Sequence, residues 1–154
     1  MHDMAIQDSY DDEVARCYGC GRLNDQGLHI RSFWERDHTV ARFTPRPEHT
    51  ATPGIVYGGL LASLVDCHGT GTASAAAARR EGHDRQLQAP PRFVTASLLV
   101  DYLAPTPLGG ELVLVGNPAE VGERKVVVDV SLTAGDVETV RGRLVAVRLK
   151  GRPG

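Results

Sequence analysis

One stretch of this chain can form a long helix, and nearly everything else with apolar character comes in short runs of β-formers. From Gly58 to about Arg80, Leu60, Leu61, Leu64 and Val65 recur at helical spacing, alanines fill the distal turns and Gly82 follows as a stop signal. A solitary helix cannot bury such a stripe by itself, so it must lie on a sheet, which predicts an α+β layer architecture.

The flanking segments supply the strands. Residues 28–36 and 39–44 read as a hairpin joined by Arg36-Asp37-His38. Residues 44–54 hold Pro45, Pro47 and Pro53, which cannot donate to a ladder, so this stretch is a loop leading into the helix. After a second loop at 81–92 come four runs, 93–103, 111–121, 125–133 and 137–150. Their breaks are Pro105-Thr106-Pro107 with Gly109-Gly110, then Gly122-Glu123, then Ala134-Gly135-Asp136, and such short connections predict an antiparallel meander. The order is ββαββββ. Residues 1–154 are expected to form one domain. Its first 14 residues, with Asp3, Asp8, Asp11, Asp12 and Glu13, are read as a loose acidic arm or a short surface helix.

Charge excludes several partners. With 17 basic and 19 acidic side chains the net charge is −2, so no overall field draws the chain to nucleic acid or to an anionic membrane. No run approaches the roughly 20 apolar residues of a membrane helix, and the acidic start argues against a secretory signal. Three cysteines, an odd number, make no disulfide framework, and a reducing cytoplasm is the expected location.

The chemistry concentrates at Gly54-Ile-Val-Tyr57-Gly58-Gly59-Leu-Leu-Ala-Ser63-Leu-Val-Asp66. At about 100° per residue, Gly59, Ala62, Ser63, Asp66, Thr70 and Ala73 fall opposite the leucine stripe. Two readings stand on this spacing alone. In one, Gly58-Gly59 is a tight turn and Asp66 a solvated charge. In the other, glycines opening a helix let its free amides meet a ligand oxygen, and a carboxylate two to three turns on faces the same cleft. Gly69 and Gly71 cost up to about 1 kcal/mol each in helix propensity, a cost more easily borne if a ligand or a second subunit packs against them.

Other candidates have simpler readings. Cys17-Tyr-Gly-Cys20 has the spacing of half a zinc site, yet such a site needs four ligands and Cys67 lies in the helix, so no metal is expected and Cys67 is read as packing. His68, amid the leucines, reads as a satisfied core histidine. Arg79-Arg80 offset the helix dipole. Neither a phosphate-binding glycine loop with a lysine nor a Gly-x-Ser-x-Gly elbow is present in the sequence.

The helix segment, together with Cys17-Tyr-Gly-Cys20-Gly21, Asn24, Gly27-Leu28, Thr95-Ala-Ser-Leu-Leu-Val-Asp-Tyr102, Pro105-Thr-Pro107-Leu108 and Gly122-Glu-Arg124-Lys125, resembles the hotdog-fold thioesterases of the acyl-CoA type. The resemblance spans about residues 17–150. It implies a central helix wrapped by an antiparallel sheet and hydrolysis of an acyl-CoA thioester without a cofactor. Asp66 would be the base or nucleophile, the Gly58 and Gly59 amides would hold the carbonyl, and Thr95 would position water. Tyr57, Ser63 and Thr70 would contact substrate, and Arg124 and Lys125 match a basic pair near the coenzyme A phosphates. The resemblance also implies a homo-oligomer, dimer or tetramer, with the site between subunits, so that Thr95 would serve the partner's Asp66. Tyr57 stands where the family carries histidine, which leaves a non-catalytic acyl-CoA or lipid binding module as the alternative. A hydratase or dehydratase on the same fold ranks third: it needs a histidine–carboxylate pair, and His49 is the nearest upstream histidine.

Overall fold

The computed structural model describes residues 4–83 and 90–150. Its elements are β1 (Ser32–Glu35), β2 (His38–Phe43), α1 (Gly58–Arg80), β3 (Phe93–Tyr102), β4 (Leu112–Val121), β5 (Lys125–Ala134) and β6 (Val137–Arg148). The expected ββαββββ order is observed. Part of the loop expected at 81–92 lies outside the described residues.

All six strands join one antiparallel sheet in the order β1-β2-β4-β5-β6-β3, wrapped on α1 as a hotdog fold. β4, β5 and β6 do form a meander, but β3 does not lead it; β3 pairs with β6 at the far edge. Two facts account for that correction. The other edge of β4 is taken by β2, with Val40 opposite Val115. And the segment after β3 is pinned across the end of the sheet instead of turning back: Thr106 Oγ1 donates to Thr139 Oγ1 at 2.7 Å, and Ile55 bridges Pro107.

Leu60, Leu61, Leu64 and Val65 are buried against Leu112, Leu114, Val126, Val128, Leu132, Val140 and Leu144. Beyond Thr70 the helix is buried on every side as far as Ala78. The contact is close because glycines permit it. A Cβ on Gly142 of β6 would lie 2.5 Å from Val65 Cγ1, and one on Gly69 would lie 3.1 Å from Leu144 Cδ1. Gly69 therefore accommodates the sheet, where a ligand or second subunit was expected.

From Met4 onward the acidic start is anchored, not loose. It contains a 3-10 turn, Ile6–Ser9, and buries Ala5, Ile6 and Gln7. Apolar Ala5 and Ile6 drive the docking, and Gln7 fixes it: Ser32 N donates to Gln7 Oε1 at 2.8 Å and Gln7 Nε2 donates to Ser32 Oγ at 3.1 Å. A Cβ on Gly71 would lie 2.9 Å from Gln7 Nε2, so the second helical glycine makes room for this arm. His68 is the satisfied core histidine expected, with Nδ1 2.8 Å from Ser32 Oγ and Nε2 3.1 Å from Thr39 Oγ1. Burial pushes its pKa down to about 4, so it is neutral at pH 7. Among the described residues, no helix is long and apolar enough to cross a membrane.

Gly142→Ala should lower the unfolding free energy by about 1–3 kcal/mol in urea titrations, because overpacking at Val65 has no soft side chain to yield. Gly110→Ala, with nothing within 4 Å of an added Cβ, should leave it nearly unchanged.

Candidate active site

The loop before α1 sets the helix start by backbone bonds. Tyr57 N donates to His49 O at 2.9 Å, and Tyr57 O accepts from Leu60 N at 3.1 Å and Leu61 N at 3.3 Å. No side chain caps the helix. Among the described residues, the Gly58 and Gly59 amides donate to no protein group, as the first turn of a helix requires unless something caps it. The exposed Tyr57 ring folds over Gly59, where an added Cβ would lie 2.5 Å from Tyr57 Cε1.

Asp66 sits half-buried on the exposed stripe of α1 with Gly59, Ala62, Ser63 and Thr70, while Ala73, expected on that face, is buried. Thr95 Oγ1 donates to Asp66 Oδ1 at 2.5 Å. This contact lies within one chain. The physical cause is a β-bulge. Thr95 and Tyr102 are seven residues apart and would point to opposite faces of a regular strand, but the bulge between Thr95 and Ser97 turns both toward the helix, opposite buried Ala146 and Val140. Tyr102 Oη then donates to the Gly58 carbonyl at 2.7 Å, tying β3 to the helix start. Tyr102 was only part of a matching segment in the sequence; its role depends on the bulge, which no local pattern announces.

Ser63 Oγ donates to Gly59 O at 2.9 Å and Thr70 Oγ1 to Asp66 O at 3.1 Å, so both hydroxyls spend their protons on the helix and offer only lone pairs outward. Arg124 and Lys125 are not brought to Asp66 within the chain. Lys125 shares a row with Val147 and Val94, two strands or about 10 Å from β3, on the face turned away from α1. It lies 3.8 Å from Glu120. His49, required by a hydratase reading, has its Nδ1 occupied by the Arg46 amide at 3.0 Å and its ring against Phe43.

A cavity of about 330 Å³ lies beside the next turn of the helix, lined by Tyr10, Cys17, Thr70, Ser74, Phe93 and Val94 among others. At its wall the three cysteines meet. Cys67, expected to be out of reach in the helix, has its sulfur 3.7 Å from that of Cys17, and the three sulfurs lie within 4.8 Å of one another. Hydrogen bonds from Cys20 and Cys67, with backbone N–H groups of Cys20 and Gly19, hold the Cys17 thiol far below its ordinary range; the same contacts push Cys67 up and Cys20 up to about 12.

The family model described as Thioesterase superfamily matches residues 53–141. Among solved structures, a Thioesterase superfamily protein from Shewanella loihica PV-4 is 49% identical, with a TM-score of 0.71 over 94% of this chain and 99% of that one. A thioesterase from Haemophilus influenzae is 16% identical at TM-score 0.67, covering 85% of each chain. The PaaI protein from the phenylacetic acid degradation operon of E. coli is 17% identical at TM-score 0.65, covering 80% and 82%. The last two show the fold. No curated protein matches the chain.

Replacing Thr95 by the isosteric Val removes the donor to Asp66 but keeps the shape. Because Asp66 is half-exposed and water can substitute, the loss in unfolding free energy should be about 1 kcal/mol, read from chemical denaturation with an unchanged circular dichroism spectrum.

Proposed function

We propose, from the premise that the chain belongs to the thioesterase superfamily, that it hydrolyses an acyl-coenzyme A thioester to a carboxylic acid and free coenzyme A. The observation that carries this reading is the Asp66–Thr95 pair on the small-residue face of a helix whose first amides are free. Thr95 gives its proton to the carboxylate and so turns lone pairs toward a water. Asp66 takes a proton from that water as the water oxygen bonds to the carbonyl carbon, or attacks directly to form an acyl-aspartyl anhydride that water then hydrolyses, while the carbonyl oxygen gains charge. Free amides at the positive end of the helix are suited to that oxyanion. The C–S bond then breaks, and the coenzyme A thiolate leaves to take up a proton. No cofactor enters these steps.

The reading includes a homodimer, with pairing of dimers into tetramers as its extension. Gly59 and Asp66 are separated by roughly 10 Å along the helix axis, seven residues at 1.5 Å each. A carbonyl held on the Gly59 amide of one chain therefore lies too far for attack from that chain's Asp66, since reacting atoms must come within about 3–3.5 Å. A second copy is the natural source of the missing amides. β3 supports this, being an edge strand that exposes Val94, Leu99 and Tyr102, with Leu99 60% exposed. In such a dimer Arg124 and Lys125 are assigned to the coenzyme A phosphates.

With a panel of acyl-CoA substrates, the native protein should release free thiol, and Asp66→Asn should release it about 10²–10⁴-fold more slowly. Equal rates would remove Asp66 from the reaction. The Tyr57 ring over Gly59 favours the second reading, a binding module: saturable acyl-CoA binding with no thiol release by the native protein would establish it instead. Leu99→Lys should convert the dimer to a folded monomer without activity in sedimentation and thiol-release assays; a native protein that sediments as a monomer would contradict the shared site.

A further inference from the structure

The three-cysteine cluster lies outside this reaction and has its own construction. The loop carrying Cys17 and Cys20 is fixed by its backbone: Gly21 N donates to Cys17 O at 2.7 Å, Leu28 N to Tyr18 O at 2.8 Å and Ile30 N to Gly19 O at 3.0 Å. It is pressed onto the helix so tightly that a Cβ on Gly19 would overlap the Cys67 sulfur.

From this geometry we infer that Cys17, Cys20 and Cys67 are the three protein ligands of a zinc ion whose fourth coordination position faces the cavity beside Thr70 and Ser74. At a Zn–S distance of about 2.3 Å, a tetrahedral ion separates its sulfurs by about 3.8 Å. The Cys17 and Cys67 sulfurs are 3.7 Å apart, and the third lies within 4.8 Å of both, so closing the set needs only a small side-chain shift. Sulfur donors select soft ions of this kind over magnesium or calcium. Among the described residues, no imidazole or carboxylate joins the three sulfurs, so the fourth ligand comes from solvent or from a small thiol in the cavity. Cys17 and Cys20 both line that cavity, and Cys17 is exposed, which gives the ion a way in. The thiol protons pass to solvent as the ion binds.

The test uses the full chain, fully reduced and stripped of metal, titrated with Zn²⁺ and separately with Co²⁺ as an optical probe. One ion per chain is expected, with thiolate-to-cobalt charge-transfer absorption and the intense visible bands of a tetrahedral site, and zinc should raise the unfolding temperature. Cys17→Ser changes an exposed side chain and should stay folded by circular dichroism while losing stoichiometric uptake; Cys20→Ser should behave alike. Absence of uptake by the folded, reduced native protein overturns the inference. So does uptake unchanged in both serine variants, or a Cys17–Cys67 disulfide after mild oxidation in a protein whose reduced form binds neither metal. None of these readouts depends on acyl-CoA turnover.

Discussion

The structure depends on how closely α1 can be approached. On one side Gly142 lets Val65 sit directly on the sheet and Gly69 lets Leu144 reach the helix; on the other, Gly71 admits Gln7 of the N-terminal arm and Gly19 lets the cysteine loop touch Cys67. A helix of uniformly large residues would stand farther off, and the sheet would not close around it. The loss of helix propensity at Gly69 and Gly71 is offset by apolar burial at a distance where packing approaches interior density. The same closeness leaves one stripe of the helix, from Gly59 to Thr70, uncovered by the rest of the chain.

That stripe is organised from β3. The bulge at Thr95 turns one hydroxyl to Asp66 and, seven residues on, another to the carbonyl of Gly58, so a single edge strand holds the carboxylate and the helix start that the chain would contribute to two shared sites. The strand that fixes the carboxylate is also an exposed edge of the sheet, and this joins catalysis to assembly in the proposed account. The free amides at Gly58 and Gly59 and the carboxylate at Asp66 are each well prepared, yet about two turns separate them on one helix.

Much of this was legible before the structure. The bounds of α1, the buried leucine stripe, the core role of His68 and the existence of every strand follow from periodicity and turn residues, which act over a few neighbours. Strand order does not: the pairing of β3 with β6 depends on where the segment after β3 is pinned, through Thr106 to Thr139, contacts distant in sequence. The N-terminal arm misled because its acidic residues mask the few side chains, Ala5, Ile6 and Gln7, that dock it. Cys67 misled for a similar reason, since a helical residue meets a loop fifty positions earlier only after the fold is complete. Asp66 was singled out by the resemblance, since its spacing from the glycines left a solvated charge open, whereas its contact with Thr95 of the same chain required the bulge.

The central claim is that each site pairs Asp66 of one copy with the Gly59 amide of another, and mixing two inactive variants tests it most directly. Asp66→Asn lacks the carboxylate. Gly59→Pro lacks the amide N–H at a first-turn position where a helix tolerates proline. If sites are shared, hybrid dimers contain one site with both groups intact, and thiol release should reappear on mixing, at about a quarter of the native rate for random exchange. A mixture that stays as inactive as either variant, while native mass spectrometry shows hybrid dimers, would contradict the account.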